Sequence, residues 1–379
     1  MIRFLHSSDL HLGKPFGRYP EDVRGRLRQA RHGALDRLAQ AAREGGAGLV
    51  LLAGDTFDQE TPNPAVVRQA LNTMAGAQDI RWVLMPGNHD SLAAAEAWRI
   101  ITRDKPENVI LALDDSPLDL SQAWLLPAPC TERSPGRDLT RSMDQPSPEG
   151  AIRIGLGHGG IVDFQSMGDA GTAGPTGVIP PDRAEQSGLA YLALGDWHGQ
   201  MQVTPHCWYS GTPERDSFRH AAAASALLVT VEAAGAQPQV SPIETGAIDW
   251  QADTLDMTPD DDPAALLERA VPAVADRRDC NLRLRFGGRA RMDARQRMQA
   301  MLDRIAPDFL SLDADLSGLA LVHDTDDLDA IDPTGGALRL TADRLVEMAR
   351  DPDAALEDRR VADAALSLLF GFAAQAPDP

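Results

Sequence analysis

Five short polar clusters carry the residue types that bind metal ions. They are DLH (Asp9, His11), GDTFD (Asp55, Asp58), GNHD (Asn88, His89, Asp90), GHGG (His158) and GDWHG (Asp196, His198). Together they supply carboxylates, an amide oxygen and imidazoles, a mixture that suits borderline divalent metals such as Mn, Fe or Zn. The three cysteines are widely spaced and form no CxxC pair, so a thiolate zinc site is not supported.

Such a set of ligands can bind two metal ions at once. One carboxylate must then bridge the ions, and other residues must bind each ion separately. A pair of ions can bind a phosphate ester across both and can lower the pKa of a bound water enough to give hydroxide near neutral pH. The glycines beside the clusters keep Cβ atoms away, so that backbone and substrate can approach closely. The residues therefore favour metal-assisted hydrolysis of a phosphate ester.

Each polar cluster follows an apolar run that predicts a β-strand. The runs are MIRFLHSSD, GLVLLAGD, RWVLMPGNHD, AIRIGLGHGG and LAYLALGDWHG, and helical patterns cover residues 22–44 and NPAVVRQALNTMAG. This alternation indicates an α/β fold with helices packed on sheets. Ligand sites in such folds gather at the carboxyl ends of strands, so the five strand ends predict one shared site. Any one cluster alone also fits a turn, a helix cap or a core histidine; their joint occurrence favours the shared site.

Composition narrows the classes of partner. A chain of 379 residues predicts more than one domain. No apolar run reaches about 18 residues and the N-terminus does not have the pattern of a signal peptide, so we expect no membrane association. An odd number of scattered cysteines is typical of a reducing compartment and predicts a cytoplasmic protein. The net charge of −20 argues against DNA binding by the bulk surface.

One segment, residues 13–43, is rich in arginine despite the acidic composition. Its helical part is either a solvated amphipathic face or a surface that contacts phosphates near the mouth of the site.

Further along, residues 246–262 are acidic and rich in turn formers, which predicts a domain boundary. We therefore expect a first domain at 1–245, a small α/β domain at 246–335 and a helical segment at 336–379. The apolar terminal stretch VADAALSLLFGF either covers the small domain or docks a partner.

The clusters and their flanking residues resemble a known family. The motifs of the calcineurin-like metallophosphoesterase superfamily are similar to HSSDLHLGKPF, LAGDTFD, PGNHD and YSGTPER in this chain. The residues of these motifs most resemble those of the bacterial SbcD-type DNA-repair exonucleases. The resemblance is specific over residues 1–220 and weak beyond 250. It implies a four-layer αββα sandwich with a small C-terminal α/β capping domain and terminal helices. It also implies a two-metal-dependent phosphodiesterase that hydrolyses DNA, a homodimer, and an SMC-like coiled-coil ATPase as partner.

The resemblance assigns a role to each matching position. Asp9, His11 and His198 are expected to bind the first ion, Asp55 to bridge, and Asn88 and His158 to bind the second ion. Asp196 occupies a position where the family has histidine. We interpret it as a ligand of the second ion, directly or through water, and the alternative is that the site is a remnant. Two divalent ions are implied, with Mn²⁺ preferred over Fe, Zn or Mg.

The catalytic assignments also come from the resemblance. His89 is expected to stabilise the pentacovalent phosphorus or to protonate the leaving oxygen. Asp58 matches the carboxylate that orients this histidine, with Asp90 as a competitor. Two other functions stay open at this point. One is a phosphodiesterase for small nucleotides or other phosphate esters, which needs a closed pocket; the other is a non-catalytic scaffold subunit whose metal site has decayed at Asp196.

Overall fold

The chain divides into two compact units, Met1–Asp249 and Trp250–Pro379. The computed structural model describes residues 1–162, 177–219, 222–322 and 335–375. Residues 323–334, at the end of the predicted small domain, lie outside the described residues. The predicted three-part division at 245/246 and 335/336 stays a prediction.

The first unit contains two mixed β-sheets. Its described strands are, in chain order, β1 (Ile2–Ser7), β2 (Leu49–Ala53), β3 (Arg81–Met85), β4 (Val109–Leu111), β5 (Leu118–Asp119), β6 (Trp124–Ala128), β7 (Arg153–His158), β8 (Tyr191–Gly195), β9 (Met201–Thr204), β10 (Cys207–Tyr209), β11 (Ser225–Val231) and β12 (Gln239–Glu244). The first sheet has the order β12-β11-β1-β2-β3-β4, and the second has the order β5-β6-β7-β8-β10-β9. The strands that precede the polar clusters are parallel within each sheet, so their carboxyl ends meet at one edge.

The two sheets pack face to face through alternate side chains. Phe4, Leu51 and Val83 of the first sheet are fully buried in one apolar cluster with Ile154 and Ala193 of the second. The intervening residues of the same strands point to the outer faces, as the two-residue period of a strand requires. This buried layer confirms the predicted α/β sandwich.

Helices cover the outer faces of both sheets. They are α1 (Glu21–Glu44), α2 (Pro64–Gly76), α3 (Ala95–Asp104) and the short α4 (Arg183–Gln186), with a 3-10 helix at Leu139–Asp144. Helix α2 begins where the Asn63 side chain accepts a hydrogen bond from the backbone N–H of Ala65, with proline at the first helical position. Helix α1 ends before Gly46, whose φ of 67° is in the left-handed region that glycine adopts without strain.

The second unit is a smaller α/β structure. Its strands are β13 (Asp249–Met257), β14 (Cys280–Arg291), β15 (Ser311–Asp315) and β16 (Ala320–Val322), and its first helices are α5 (Pro263–Ala270) and α6 (Met292–Ile305). Short 3-10 helices lie at Val274–Asp279 and Ala306–Asp308, and two longer helices follow at Ala337–Arg350 and Leu356–Gln375. One face of β14 is buried against α6 in a separate apolar core. Among the described helices, none is both long and apolar enough to cross a membrane.

Candidate metal centre

The five polar clusters lie at the carboxyl ends of five strands. Strands β1, β2 and β3 of the first sheet lead into the clusters of Asp9, Asp55 and Asn88, while β7 ends at His158 and β8 leads directly into Asp196. The two sheets face each other, so the clusters from both converge at one edge of the sandwich. The shared site expected from the sequence is therefore assembled from both sheets.

The backbone is strained at four of the predicted ligands. Asp9, His11, Asp55 and Asp196 have φ values of 55°, 43°, 52° and 101°, in the left-handed region that residues with a Cβ seldom adopt. Each such residue costs on the order of 1 kcal/mol and persists only when its surroundings fix it. Backbone hydrogen bonds fix two of them here, from His11 N to the Asp55 carbonyl (2.9 Å) and from Asp9 N to the Gly54 carbonyl (3.2 Å).

Glycine makes the close approach of these turns possible. A Cβ atom at Gly87 would lie 2.2 Å from Asp55 Oδ1. A Cβ at Gly195 would lie 2.1 Å from the Ala53 carbonyl oxygen. Both distances are far below van der Waals contact, so any larger residue would displace the Asp55 turn.

Asp9, His11 and His198 form the first group of possible ligands. Each offers one atom, and these atoms lie within 4.8 Å of one another. His11 Nε2 is 3.1 Å from His198 Nε2 and 4.0 Å from Asp9 Oδ1. Two ligand atoms at about 2.1 Å from one ion are separated by about 3 Å or more, so this spacing fits a shared divalent ion.

Asp55 faces two histidines with its two carboxylate oxygens. Oδ2 is 3.6 Å from His11 Nε2, and Oδ1 is 3.6 Å from His158 Nε2. The residue is only 2% exposed. One oxygen thus faces His11 of the first ion site and the other faces His158 of the second, which is the arrangement that a bridging ligand needs.

His158 and Asn88, the residues expected to bind the second ion, each have a buried atom that could act as a metal ligand. Nδ1 of His158 contacts the Ala53 carbonyl at 2.8 Å, and because a carbonyl only accepts, Nδ1 carries the proton. Nε2 of His158 and Oδ1 of Asn88 are buried and make no hydrogen bond within the described part of the chain. Nε2 faces the Asp55 carboxylate at 3.6 Å, and whenever Nε2 carries no proton its lone pair and the carboxylate require a cation between them.

Asp196 lies beside this second group. Its Oδ1 is 3.9 Å from His158 Nε2 and accepts a hydrogen bond from Asn88 Nδ2 at 3.5 Å. Its side chain is 36% exposed, far more than the buried His158. It is not a member of the three groups of possible ligands found among the described residues, of which Asp9, Asp55 and His158 are one. Asp196 therefore borders the second group from the solvent side.

The electrostatics of the site favour a cation. Burial raises the pKa of Asp55; His158 opposes this, and the neighbouring carboxylates Asp90 and Asp9 raise it further. Burial acts to lower the pKa of His158, but Asp55, Asp9 and Asp196 outweigh it and raise the pKa above its ordinary value. Without a cation, the buried carboxylates thus retain protons that they would otherwise lose. A bound divalent ion would supply the positive charge that these protons otherwise provide.

His89 is oriented by a backbone group. Its Nδ1 lies 3.0 Å from the carbonyl oxygen of Asp58, whereas the Asp58 carboxylate lies 3.4 Å from His11 Nδ1. The sequence interpretation gave the orienting role to the carboxylate, and the structure shows the carbonyl in that position. Asp90, the competitor, accepts hydrogen bonds from the backbone N–H groups of Phe57 and Gly87 and so stabilises the adjoining turns.

Sequence reasoning missed a buried arginine behind the first group. Arg31 of α1 is 1% exposed and donates to the backbone carbonyls of Asp9 (3.3 Å), Leu10 and Glu214 (2.8 Å). It therefore supports the turn that carries Asp9 and His11. The available signal was its helical phase, because position 31 falls between Leu27 and Leu35 on the apolar stripe.

Four other arginines of α1 form ion pairs within the protein. Arg24 and Arg28 contact Glu21, Arg37 contacts Glu214, and Arg43 contacts Asp79. Four of the basic groups that raised the prospect of phosphate contact thus have carboxylate partners. The cations next to the metal centre come instead from the loop before α1 and from residue 219. An open cleft of about 700 Å³ beside the centre is lined by, among others, Lys14, Arg18, Asp58, Trp197, His198 and Arg219.

The chain is similar to one described family. Residues 2–173 match the family model described as Calcineurin-like phosphoesterase. This part of the chain is therefore similar to calcineurin-like phosphoesterase domains. The family implies a metal-dependent phosphoester hydrolase, and the clustered carboxylates and histidines are the ligands that such an enzyme requires.

Two further comparisons add less. No curated protein matches the chain. One solved structure is similar to this chain at 11% sequence identity with a TM-score of 0.35. The similarity covers 64% of this chain and 98% of the chain of that structure.

Proposed function

We propose that the protein is a two-metal phosphodiesterase that hydrolyses DNA, a nuclease of the SbcD type. The observation that carries the proposal is a pair of buried atoms that make no hydrogen bond within the described part of the chain: His158 Nε2, which is 3.6 Å from the Asp55 carboxylate, and Asn88 Oδ1. A site decayed into a scaffold would have lost the need to keep such atoms buried, because each costs about 1–3 kcal/mol.

The chain's own residues divide into ligands and an acid. Asp9, His11 and His198 would bind one ion, Asn88 and His158 the other, and Asp55 would contact both. Bound ions, for which Mn²⁺ is our proposal, would supply Lewis acidity and an activated water. The Asp58 carbonyl holds one His89 proton on Nδ1, so Nε2 is the atom that would act on the leaving oxygen, and it could protonate that oxygen only with both ring nitrogens protonated.

DNA is favoured as the substrate because the cleft is open and carries cations. Arg18 and Arg219 line it together with His198, so a backbone that extends past the metal centre meets positive groups. Lys14, the third cation of the cleft, is paired with Asp216. A phosphodiesterase for small nucleotides would need an enclosed pocket instead. The overall charge of −20 confines this attraction to the cleft.

We place Asp196 as a ligand of the second ion, directly or through a water molecule. Its oxygen lies on the solvent side of His158 and Asn88, and a carboxylate is shorter than the histidine expected at this position. An Asp196→His variant should therefore retain metal and activity. An Asp196→Ala variant with unchanged activity and metal content would show that this residue is not a ligand.

The proposed partner is an SMC-like coiled-coil ATPase. The two C-terminal helices expose apolar side chains, including Leu340 (68%), Val361 (63%) and Leu368 (63%), a surface suited to a helical partner. Leu340→Asp should then weaken co-elution with such an ATPase, and unchanged co-elution would argue against this surface. A homodimer and a cytoplasmic location complete the proposal. The three cysteines, which are free in the structure, agree with a reducing compartment.

The deciding experiment is hydrolysis of linear DNA by the purified chain with Mn²⁺. We expect degradation that EDTA abolishes. Cleavage of bis-p-nitrophenyl phosphate without cleavage of DNA would support the small-substrate function, and absence of metal by elemental analysis would support the scaffold. His89→Ala should abolish turnover while the metal content stays the same. Loss of both would mean that His89 is a ligand and not the acid.

A further inference from the structure

The carboxylate of Asp216 lies behind His198, on the side of the ring opposite the metal ligands. Its Oδ2 is 3.6 Å from His198 Nδ1, while His198 Nε2 is 3.1 Å from His11 Nε2. The Asp216 side chain is 6% exposed, against 25% for His198. We propose that Asp216 is a positioning residue of the first metal centre, which fixes the ring and the tautomer of His198 and thereby sets the affinity for the first ion.

Two cations keep the Asp216 carboxylate in place. The same Oδ2 atom contacts Lys14 Nζ, and Arg31 Nη2 lies 3.7 Å from it. Lys14 is one of only two lysines in the sequence. A carboxylate held between two cationic neighbours offers a fixed acceptor oxygen to the Nδ1–H group of His198.

Arg31 connects the two chain segments that build the first centre. It donates to the carbonyls of Asp9 and Leu10 and also faces Asp216. The turn with Asp9 and His11 and the support of His198 therefore share one guanidinium group. A substitution at Asp216 should therefore alter the position of the His198 ring, while Arg31 still donates to the Asp9 carbonyl.

The histidines of the two centres have different supports. Nδ1 of His11 faces the Asp58 carboxylate at 3.4 Å, and Nδ1 of His198 faces Asp216, whereas Nδ1 of His158 donates to the neutral Ala53 carbonyl. A carboxylate behind a ligating histidine raises its basicity, and its removal typically costs about 10–100-fold in metal affinity. The loss in an Asp216 variant should therefore be confined to the first centre.

The test is metal binding by the full chain carrying Asp216→Asn. Calorimetric titration of the EDTA-stripped protein with Mn²⁺ should show one of two sites weakened by about 10–100-fold and the other unchanged. The matched control is Asp138→Asn, because Asp138 is a buried carboxylate that contacts Arg183 at 2.6 Å outside the metal centre. That variant should keep both affinities. Lys14→Met, which leaves Arg31 beside Asp216, should weaken the same site to a lesser degree.

A double variant separates positioning from a general structural role. In a His198→Ala background the first site is already impaired, so adding Asp216→Asn should leave the metal affinities unchanged. A further equal loss at both sites, or a single Asp216→Asn variant with wild-type affinities, would overturn the inference. The inference rests on the proposed metal centre but not on DNA as the substrate. A wild-type chain that binds no Mn²⁺ would contradict both, whereas a metal-binding chain that does not cleave DNA would contradict only the proposed function.

Discussion

The buried histidine of β1 makes the stability of the first unit depend on pH. The His6 side chain is fully buried, with Nδ1 2.9 Å from the Tyr191 hydroxyl. Burial lowers the pKa of His6 from 6.5 to about 3. Between these values the unfolded chain binds a proton that the native protein does not, so stability falls as the pH drops. At pH 4.5, two units below the unfolded value, the loss is about 3 kcal/mol at 1.36 kcal/mol per unit.

Guanidinium unfolding of the wild type and His6→Asn at pH 7 and pH 4.5, both in EDTA, measures this contribution. The wild type should lose about 3 kcal/mol more than the variant over this interval, whatever the variant's stability at pH 7. His32→Asn is the control, because His32 is only partly buried and burial lowers its pKa less deeply. Equal losses in the wild type and His6→Asn would refute the reasoning, since His6 would then titrate alike in both states.

Three further substitutions probe the structure around the site. Arg31→Met leaves three buried carbonyls without their charged donor and should lower the free energy of unfolding by about 3–5 kcal/mol; a change below 1 kcal/mol in chemical denaturation would contradict this. Gly87→Ala places a Cβ 2.2 Å from Asp55 Oδ1, so elemental analysis should show fewer bound ions, and full metal content would contradict the close approach. Asp196→Gly should be about 1 kcal/mol more stable than Asp196→Ala in thermal unfolding, because φ is 101° there; equal stabilities would argue against strain.

The sandwich and the convergence of the clusters could be predicted because they depend on local pattern. The run LVLLA at Leu49–Ala53 is buried on both faces, and four of the five runs have glycine at their end with Asp, Asn or His close by. Strands of this kind form parallel sheets, and the geometry of parallel sheets brings their carboxyl ends together. A sequence pattern therefore predicted the strand-end positions of Asp55 and His158 without any long-range information.

The support of the ligands could not be predicted, because it depends on contacts between distant segments. Arg31 and Asp216 are separated by 185 positions and both appear in sequence as ordinary charged residues. Asp58 lies beside His89, but which of its oxygens faces the ring depends on the turn conformation. Arg37 of α1, for example, forms an ion pair with Glu214, which is distant in sequence. The number of arginines in α1 therefore did not show how many could contact phosphates.

The central claim is that side chains from five strand ends bind a pair of divalent ions that share Asp55. Anomalous diffraction from crystals grown with Mn²⁺ tests it most directly. We expect two peaks about 4 Å apart, one beside Asp9, His11 and His198 and the other beside Asn88 and His158. No peak at this edge of the sandwich, or a single ion that does not contact Asp55, would contradict the account.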